Sequence, residues 1–181
     1  MRRHFARYPL LQTALGRVLA SLTRHVDGET CVEIGCGSGQ NGQLFGDYLG
    51  VDYPHILDEV ASVCMPDQQY MDADILFGDL DELSHHDVVL MSAFLDVCED
   101  PADMLRKVIP HCRKYVIIHR QDFSRKPTHA VLNPSHGLKT WHSIFNIDEF
   151  FEIMNEFDVI EQTELDVDGW VNGYSYLFKR K

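Results

Sequence analysis

From Thr30 onward, short apolar runs alternate with polar or helix-periodic segments. Apolar runs of strand length, bounded by turn residues and separated by helical segments, are the pattern of a parallel α/β sheet. The expected strands are Thr30–Ile34, Tyr48–Asp52, Gln69–Asp72, Asp87–Ser92 and Tyr115–His119. Ahead of them, residues 1–28 hold a leading helix, with Leu10, Leu11, Leu15, Val18, Leu19 and Leu22 at helical spacing. The link between the first two strands is short and leaves room only for a brief helix from Gln40 to Phe45. Asp100-Pro101 opens the clearest helix. Asp100 suits the N-cap, Pro101 the first helical position, and Met104, Leu105, Val108 and Ile109 form one apolar stripe.

The next stretch, Phe123 to Ser143, carries two prolines and no clear period. It is expected to be a long loop, and loops of this length inside compact domains are often functional, so 123–143 is a candidate substrate lid. A further helix is expected near Asn146, capped by that side chain with Glu149 reaching back, and with Phe150, Phe151 and Met154 facing inward. Val159–Leu165 and Trp170–Phe178, joined by Asp166-Val167-Asp168-Gly169, close the chain as an antiparallel pair. At 181 residues the whole chain fits one domain.

Composition narrows the function classes. The formal charge is −12, from 16 basic and 28 acidic residues. That balance disfavours nucleic acid as a partner, because phosphate neutralisation by Lys and Arg dominates such binding. The five cysteines include no C-x-x-C pair, which fits a reduced, cytoplasmic protein better than a disulfide scaffold. No stretch approaches the length of a membrane-spanning apolar run, and no hydrophobic signal segment opens the chain.

The most informative residues are Val32-Glu33-Ile34-Gly35-Cys36-Gly37-Ser38-Gly39, with Asp52 closing the next strand. An apolar strand ends in an acidic residue and a glycine loop, over which a nucleoside-bearing ligand can approach backbone closely. The dinucleotide fingerprint requires a third glycine where this chain has Gln40. A nicotinamide- or flavin-dependent oxidoreductase is therefore the weaker reading. The acidic residue followed by Gly35-x-Gly37-x-Gly39 instead resembles the cofactor motif of class I S-adenosylmethionine-dependent methyltransferases. That resemblance covers roughly Thr30 to the C-terminus, with the specific motif confined to residues 32–52.

The resemblance implies a seven-stranded, mostly parallel, doubly wound sheet with an antiparallel C-terminal strand, layered between helices. It also implies S-adenosylmethionine as cofactor and S-adenosylhomocysteine as product. Glu33, Gly35, Cys36, Gly37 and Gly39 would form the cradle, and Asp52 would accept the ribose hydroxyls. Tyr53 would pack on adenine, Asp74 and Ile75 (or Asp72 and Ala73 in the alternative register) would hold its amine and ring, and Ser92 would face the methionine portion. Phe94, Arg120 and Asp122 lie at strand ends where a small-molecule acceptor would enter.

Methyl transfer is an in-line displacement in which alignment does most of the work, and no strong catalytic signature is present. Among ten histidines, His119 at the end of the fifth strand is the first candidate for a general base, and His142 beside Trp141 the second. Asp96 and Asp122 raise a metal-assisted reaction, but a third oxygen ligand at matching spacing is missing, so no metal is expected. The leading functional expectation is O- or N-methylation of a small molecule. The alternative is a module of the same fold that binds S-adenosylmethionine or S-adenosylhomocysteine without turnover.

Overall fold

The computed structural model describes residues 10–74, 80–135, 138–165 and 173–181. Its strands are β1 (Thr30–Ile34), β2 (Asp47–Asp52), β3 (Gln69–Asp72), β4 (Val88–Ser92), β5 (Tyr115–Ser124), β6 (His129–Ser135), β7 (Leu138–Asn146), β8 (Phe157–Glu164) and β9 (Gly173–Arg180). The helices are α1 (Ala14–Thr23), then α2 (Pro54–Ile56) and α3 (Ser62–Cys64) joined by a π turn, then α4 (Pro101–Val108) and α5 (Ile147–Ile153). β1 to β5 run parallel in the order β3-β2-β1-β4-β5. β9 runs antiparallel between β5 and β8. The order of strands reverses at β1/β4, where an open α/β sheet forms its crevice beyond the carboxyl ends.

Strand alternation divides the core into two layers. Val32, Ile34, Val89, Met91, Val116, Ile118, Tyr176 and Phe178 face one side, under α4 and α5. Cys31, Val88, Leu90, Ile117 and Leu177 face the other, under Leu19 and Leu22 of α1. The result is a sheet covered on both faces, as the near-continuous apolar strands require.

Local signals set the helix ends. Thr13 caps α1 by accepting from the Gly16 amide, Asp100 caps α4 from the Asp103 amide, and Asn146 caps α5 from the Glu149 amide. The leading helix is shorter than its apolar spacing implies: Leu10–Gln12 form only a 3-10 turn before the Thr13 cap. The brief helix after β1 is a 3-10 segment, Gln40–Leu44. The Glu149 carboxylate does not reach back to the cap, because it bonds Arg106 and Thr128 instead.

The largest departure from the sequence-based expectation is 123–143, which is not a lid loop. β5 continues to Ser124, and β6 and β7 form an antiparallel hairpin whose β7 pairs in parallel with Asp122–Ser124. Two extra strands thus join the expected seven. Pro134 is compatible with this because β6 is an edge strand, where a missing amide breaks no ladder bond. The segment Asp166-Val167-Asp168-Gly169 and Trp170 lie outside the described residues.

Phe150 lies at the centre of an aromatic cluster with Phe123, Phe145, Tyr176 and Phe178, with ring centroids 4.8–5.8 Å from its own. Phe151, its neighbour in sequence, packs at the rim of this cluster, its ring edge-on to Phe150, Tyr176 and Phe178 at 5.4–6.3 Å, and stays 37% exposed because adjacent helical residues diverge by about 100°. Replacing Phe150 with Ala should therefore destabilise the fold by about 3–5 kcal/mol, the usual cost of removing a buried ring. Phe151→Ala should cost clearly less. Urea denaturation of the two variants measures both values.

Candidate functional site

The glycine loop leaves β1 and folds back against β2. The amides of Gly35 and Cys36 both donate to the Val51 carbonyl, at 2.9 and 3.1 Å. Gly35 has a φ of +68°, and a Cβ there would meet the Phe94 ring at 2.6 Å. Gly37, at φ +55°, turns its amide onto Asp52 Oδ2 at 2.8 Å, while the Tyr53 amide donates to Asp52 Oδ1. Gly39 closes the turn with its amide on the Cys36 carbonyl. The Asp52 carboxylate is thereby fixed at the tip of β2, and each of its oxygens retains a further lone pair for a hydroxyl donor.

Tyr53 is 39% exposed and stacks on His55 with ring centroids 5.9 Å apart. Its hydroxyl lies against Asp74, and partial burial followed by that carboxylate raises the phenol's pKa. Asp52, Tyr53 and Asp74 thus come together at the outer end of the site. Ile75 lies outside the described residues.

Glu33 is buried, with Tyr48 donating to one oxygen at 2.5 Å and Asn41 to the other at 2.6 Å. Burial outweighs those two bonds and lifts its pKa to about 7. Sequence inspection identified Glu33 but not its partners, because they come from the loop and the neighbouring strand. The Cys36 thiol is pushed up mainly by burial, with Glu33 and Asp52 adding to it, so it is inert as a nucleophile.

A cavity of about 470 Å³ opens beside this cradle. Its floor is Glu33, Gly35 and Gly37, and its far wall is Ser92, Ala93, His119 and Arg120 at the carboxyl ends of β4 and β5. Leu10, Thr13 and Gly16 roof it, so the start of α1 covers the cleft. Among the described residues, Ala93 and Arg120 are the two non-glycine residues with positive φ, at 52° and 64°, and the Ala93 amide donates to the His119 carbonyl at 2.8 Å. Such backbone is costly and persists where the surrounding structure over-determines it. Here it accompanies the β5–β9 register shift between Ile118 and Gln121 and places Arg120 in the cavity wall.

The remaining candidates separate into two groups. His119 lines the cavity, but its Nδ1 is bonded to the Ser175 hydroxyl at 2.8 Å, and burial with the Arg120 charge depresses its pKa to about 3. A proton drawn from an acceptor would not stay on so weak a base at neutral pH. His142, on β7, faces Asp122 Oδ2 from 3.5 Å, with its side chain 42% exposed against 9% for Asp122. Burial raises the Asp122 pKa and takes that of Asp96 to about 6; Arg120 and His142 pull Asp96 back down. Asp96, which the sequence pairs with Asp122 as a possible metal ligand, follows β4 in the Leu95–Val97 turn. Phe94 packs on Gly35 and the core and does not line the cavity. Among the described residues, no group of three or more His, Cys, Asp or Glu side chains is arranged to hold a metal ion.

Glu33 gives a pH-dependent stability. A carboxyl whose folded pKa is near 7 against an ordinary 4.5 contributes stability that is complete below about pH 4.5 and is lost as pH rises to about 7. Glu33's share of the fall in the parent's urea midpoint across this window is equivalent to about 3 kcal/mol at most, and Glu33→Gln should remove that share while leaving the part set by Asp96. Matched curves for the two proteins from pH 5 to 8 would refute the assignment.

No protein-family profile matches this sequence, and no curated protein matches it. Solved structures do. The 1,6-didemethyltoxoflavin-N1-methyltransferase of Burkholderia thailandensis, with S-adenosylhomocysteine bound, aligns at TM-score 0.68 over 93% of this chain and 78% of its own, at 17% identity. The magnesium protoporphyrin IX methyltransferase of Synechocystis, with S-adenosylmethionine bound, gives 0.68 over 95% and 80% at 14% identity. A putative S-adenosylmethionine-dependent methyltransferase of Listeria monocytogenes gives 0.68 over 92% and 98% at 15% identity. The likeness is one of architecture, down to the antiparallel strand beside β5: this chain has the class I S-adenosylmethionine-dependent methyltransferase fold.

Proposed function

We propose that this chain is an S-adenosylmethionine-dependent methyltransferase acting on a small-molecule acceptor at oxygen or nitrogen. The observation that carries this reading is the cradle itself. A glycine loop tied to β2 presents Asp52 at one end and opens at the other into a cavity bounded by β4 and β5. An elongated nucleoside joined to an amino-acid arm fits that shape, with Asp52 accepting ribose hydroxyls and Tyr53 and Asp74 beside the base. The cofactor, when bound, supplies an activated methyl group on a sulfonium. The chain's own residues then have three tasks: hold the two reactants in line, keep water out, and receive a proton from the acceptor.

The first two tasks fall to the roof formed by Leu10, Thr13 and Gly16 and to the wall of Ser92 and Ala93. For the third we favour His142 over His119. Asp122 is placed to orient the His142 imidazole, whose exposure keeps it accessible, whereas His119 is buried and weakly basic. The β6–β7 hairpin that carries His142 would border the acceptor. A net charge of −12 supports a small molecule over nucleic acid as acceptor. The second reading, a non-catalytic binder of the same cofactor, is favoured by one observation: the only histidine lining the cavity among the described residues is the one held neutral.

Calorimetry with S-adenosylhomocysteine should show binding at about micromolar strength, near −8 kcal/mol, with no competition from NAD. Asp52→Ala should weaken it by about 1.5–3 kcal/mol, the range for hydrogen bonds to a charged group. Preferred binding of NAD, or full affinity in the variant, would overturn the cofactor assignment. In a screen of amine and hydroxyl acceptors, release of S-adenosylhomocysteine separates enzyme from binder. With an acceptor that turns over, His142→Ala should lower kcat by about 10²–10⁴ at unchanged cofactor affinity. A loss below tenfold would remove His142 as the base.

A further inference from the structure

Arg120 is the residue whose placement calls for an explanation. It lines the cavity, it is largely buried, and it sits on a backbone conformation that a non-glycine residue seldom adopts. Burying a guanidinium is costly unless an opposite charge accompanies it. Asp96 and Glu33 lie within electrostatic reach and stabilise its charge, and Glu33 itself accepts from Tyr48 and Asn41. The cavity therefore combines, across one small space, a carboxylate held by neutral donors and a guanidinium on the opposite wall. Asp52 and Tyr53 are not part of its lining, so this cavity lies at the inner end of the cradle, away from the ribose carboxylate. An α-amino acid presents one ammonium and one carboxylate, and that pair matches the two charges of the cavity in sign.

We propose that Arg120 anchors the α-carboxylate of the cofactor's amino-acid arm, with Glu33 facing the ammonium, and that Arg120 does not serve the methyl acceptor. This inference rests on the methyltransferase reading above. It also accounts for the strained turn. A regular continuation of β5 past His119 would keep strand alternation, whereas positive φ at Arg120 redirects the side chain into the cleft that His119 already lines. The guanidinium acts as a planar fork, so a carboxylate is bound by paired N–H donors rather than by a point charge.

The test compares two probes on the full chain by titration calorimetry: S-adenosylhomocysteine, which carries the amino-acid arm, and 5′-methylthioadenosine, which keeps the adenosine and thioether but lacks it. Arg120→Gly is the cleanest variant because glycine adopts the observed φ without strain, and Arg120→Lys is the conservative control. S-adenosylhomocysteine binding should weaken by about 10- to 100-fold in Arg120→Gly and recover in part in Arg120→Lys. Binding of 5′-methylthioadenosine should change by less than about twofold in both, which also shows that the variants are folded. Equal losses for the two probes would overturn the proposal, as would S-adenosylhomocysteine binding that is indifferent to the substitution. Should Arg120→Gly fail to fold, Arg120→Lys decides: a selective loss for the arm-bearing probe supports the anchor, and parity between probes refutes it. If the parent protein binds neither probe, the methyltransferase reading itself fails, an outcome distinct from each of these.

Discussion

The hydrogen bond from the Gly37 amide to the Asp52 carboxylate is the contact on which the site's geometry depends. It joins the apex of the glycine loop to the tip of the adjacent strand, and with the Gly35 and Cys36 amides on Val51 it makes loop and sheet one rigid unit. An acidic side chain at a strand end would otherwise sample several rotamers in solvent. Here both oxygens are held by backbone donors, so the entropy of orienting the carboxylate is spent during folding and not on ligand binding. The same contact explains the glycine at position 37, whose positive φ aims the amide at β2.

Charge is distributed along the cleft in a definite order. Asp52 stands at the outer end, Glu33 in the floor, Arg120 in the inner wall, and Asp96 and Asp122 beyond it with His142. Each inner group is shifted first by burial and only then by its neighbours, so the low polarity of the surroundings, more than any single pair, sets their chemistry. His119 illustrates the consequence. Its position at a strand end is right for a base, but burial beside Arg120 leaves it a neutral hydrogen-bonding partner of Ser175.

Much of the frame was legible in the sequence because its causes are local. The apolar runs of the five parallel strands, the glycine loop, Asp52 after one further strand, and the Thr13, Asp100 and Asn146 caps each follow from a few adjacent residues. What escaped depends on distant partners. The β6–β7 hairpin has Pro127 just before β6 and Pro134 within it, and gains its order from pairing with the far end of β5, so no local period announces it. That Phe151 rims the aromatic cluster beside Tyr176 and Phe178 while Phe150 fills it is a fact of packing. Tyr48 and Asn41 become partners of Glu33 only once loop and strand are folded together, and the turn at Arg120 has no residue signature because glycine is absent there.

That turn divides β5 into two lengths with different company. Residues 115–119 pair with β4, in the framework that supports the cradle, whereas Asp122–Ser124 carry the hairpin through three paired positions. Among the described residues, no ladder connects the hairpin to β1, β2 or β4, and none of the cradle's hydrogen bonds involves it. The molecule is therefore modular at the scale of a single strand. A ribbon of another length or composition could be joined beyond Gln121 without disturbing a bond of the glycine loop, so the cradle and the wall beside it can be altered separately.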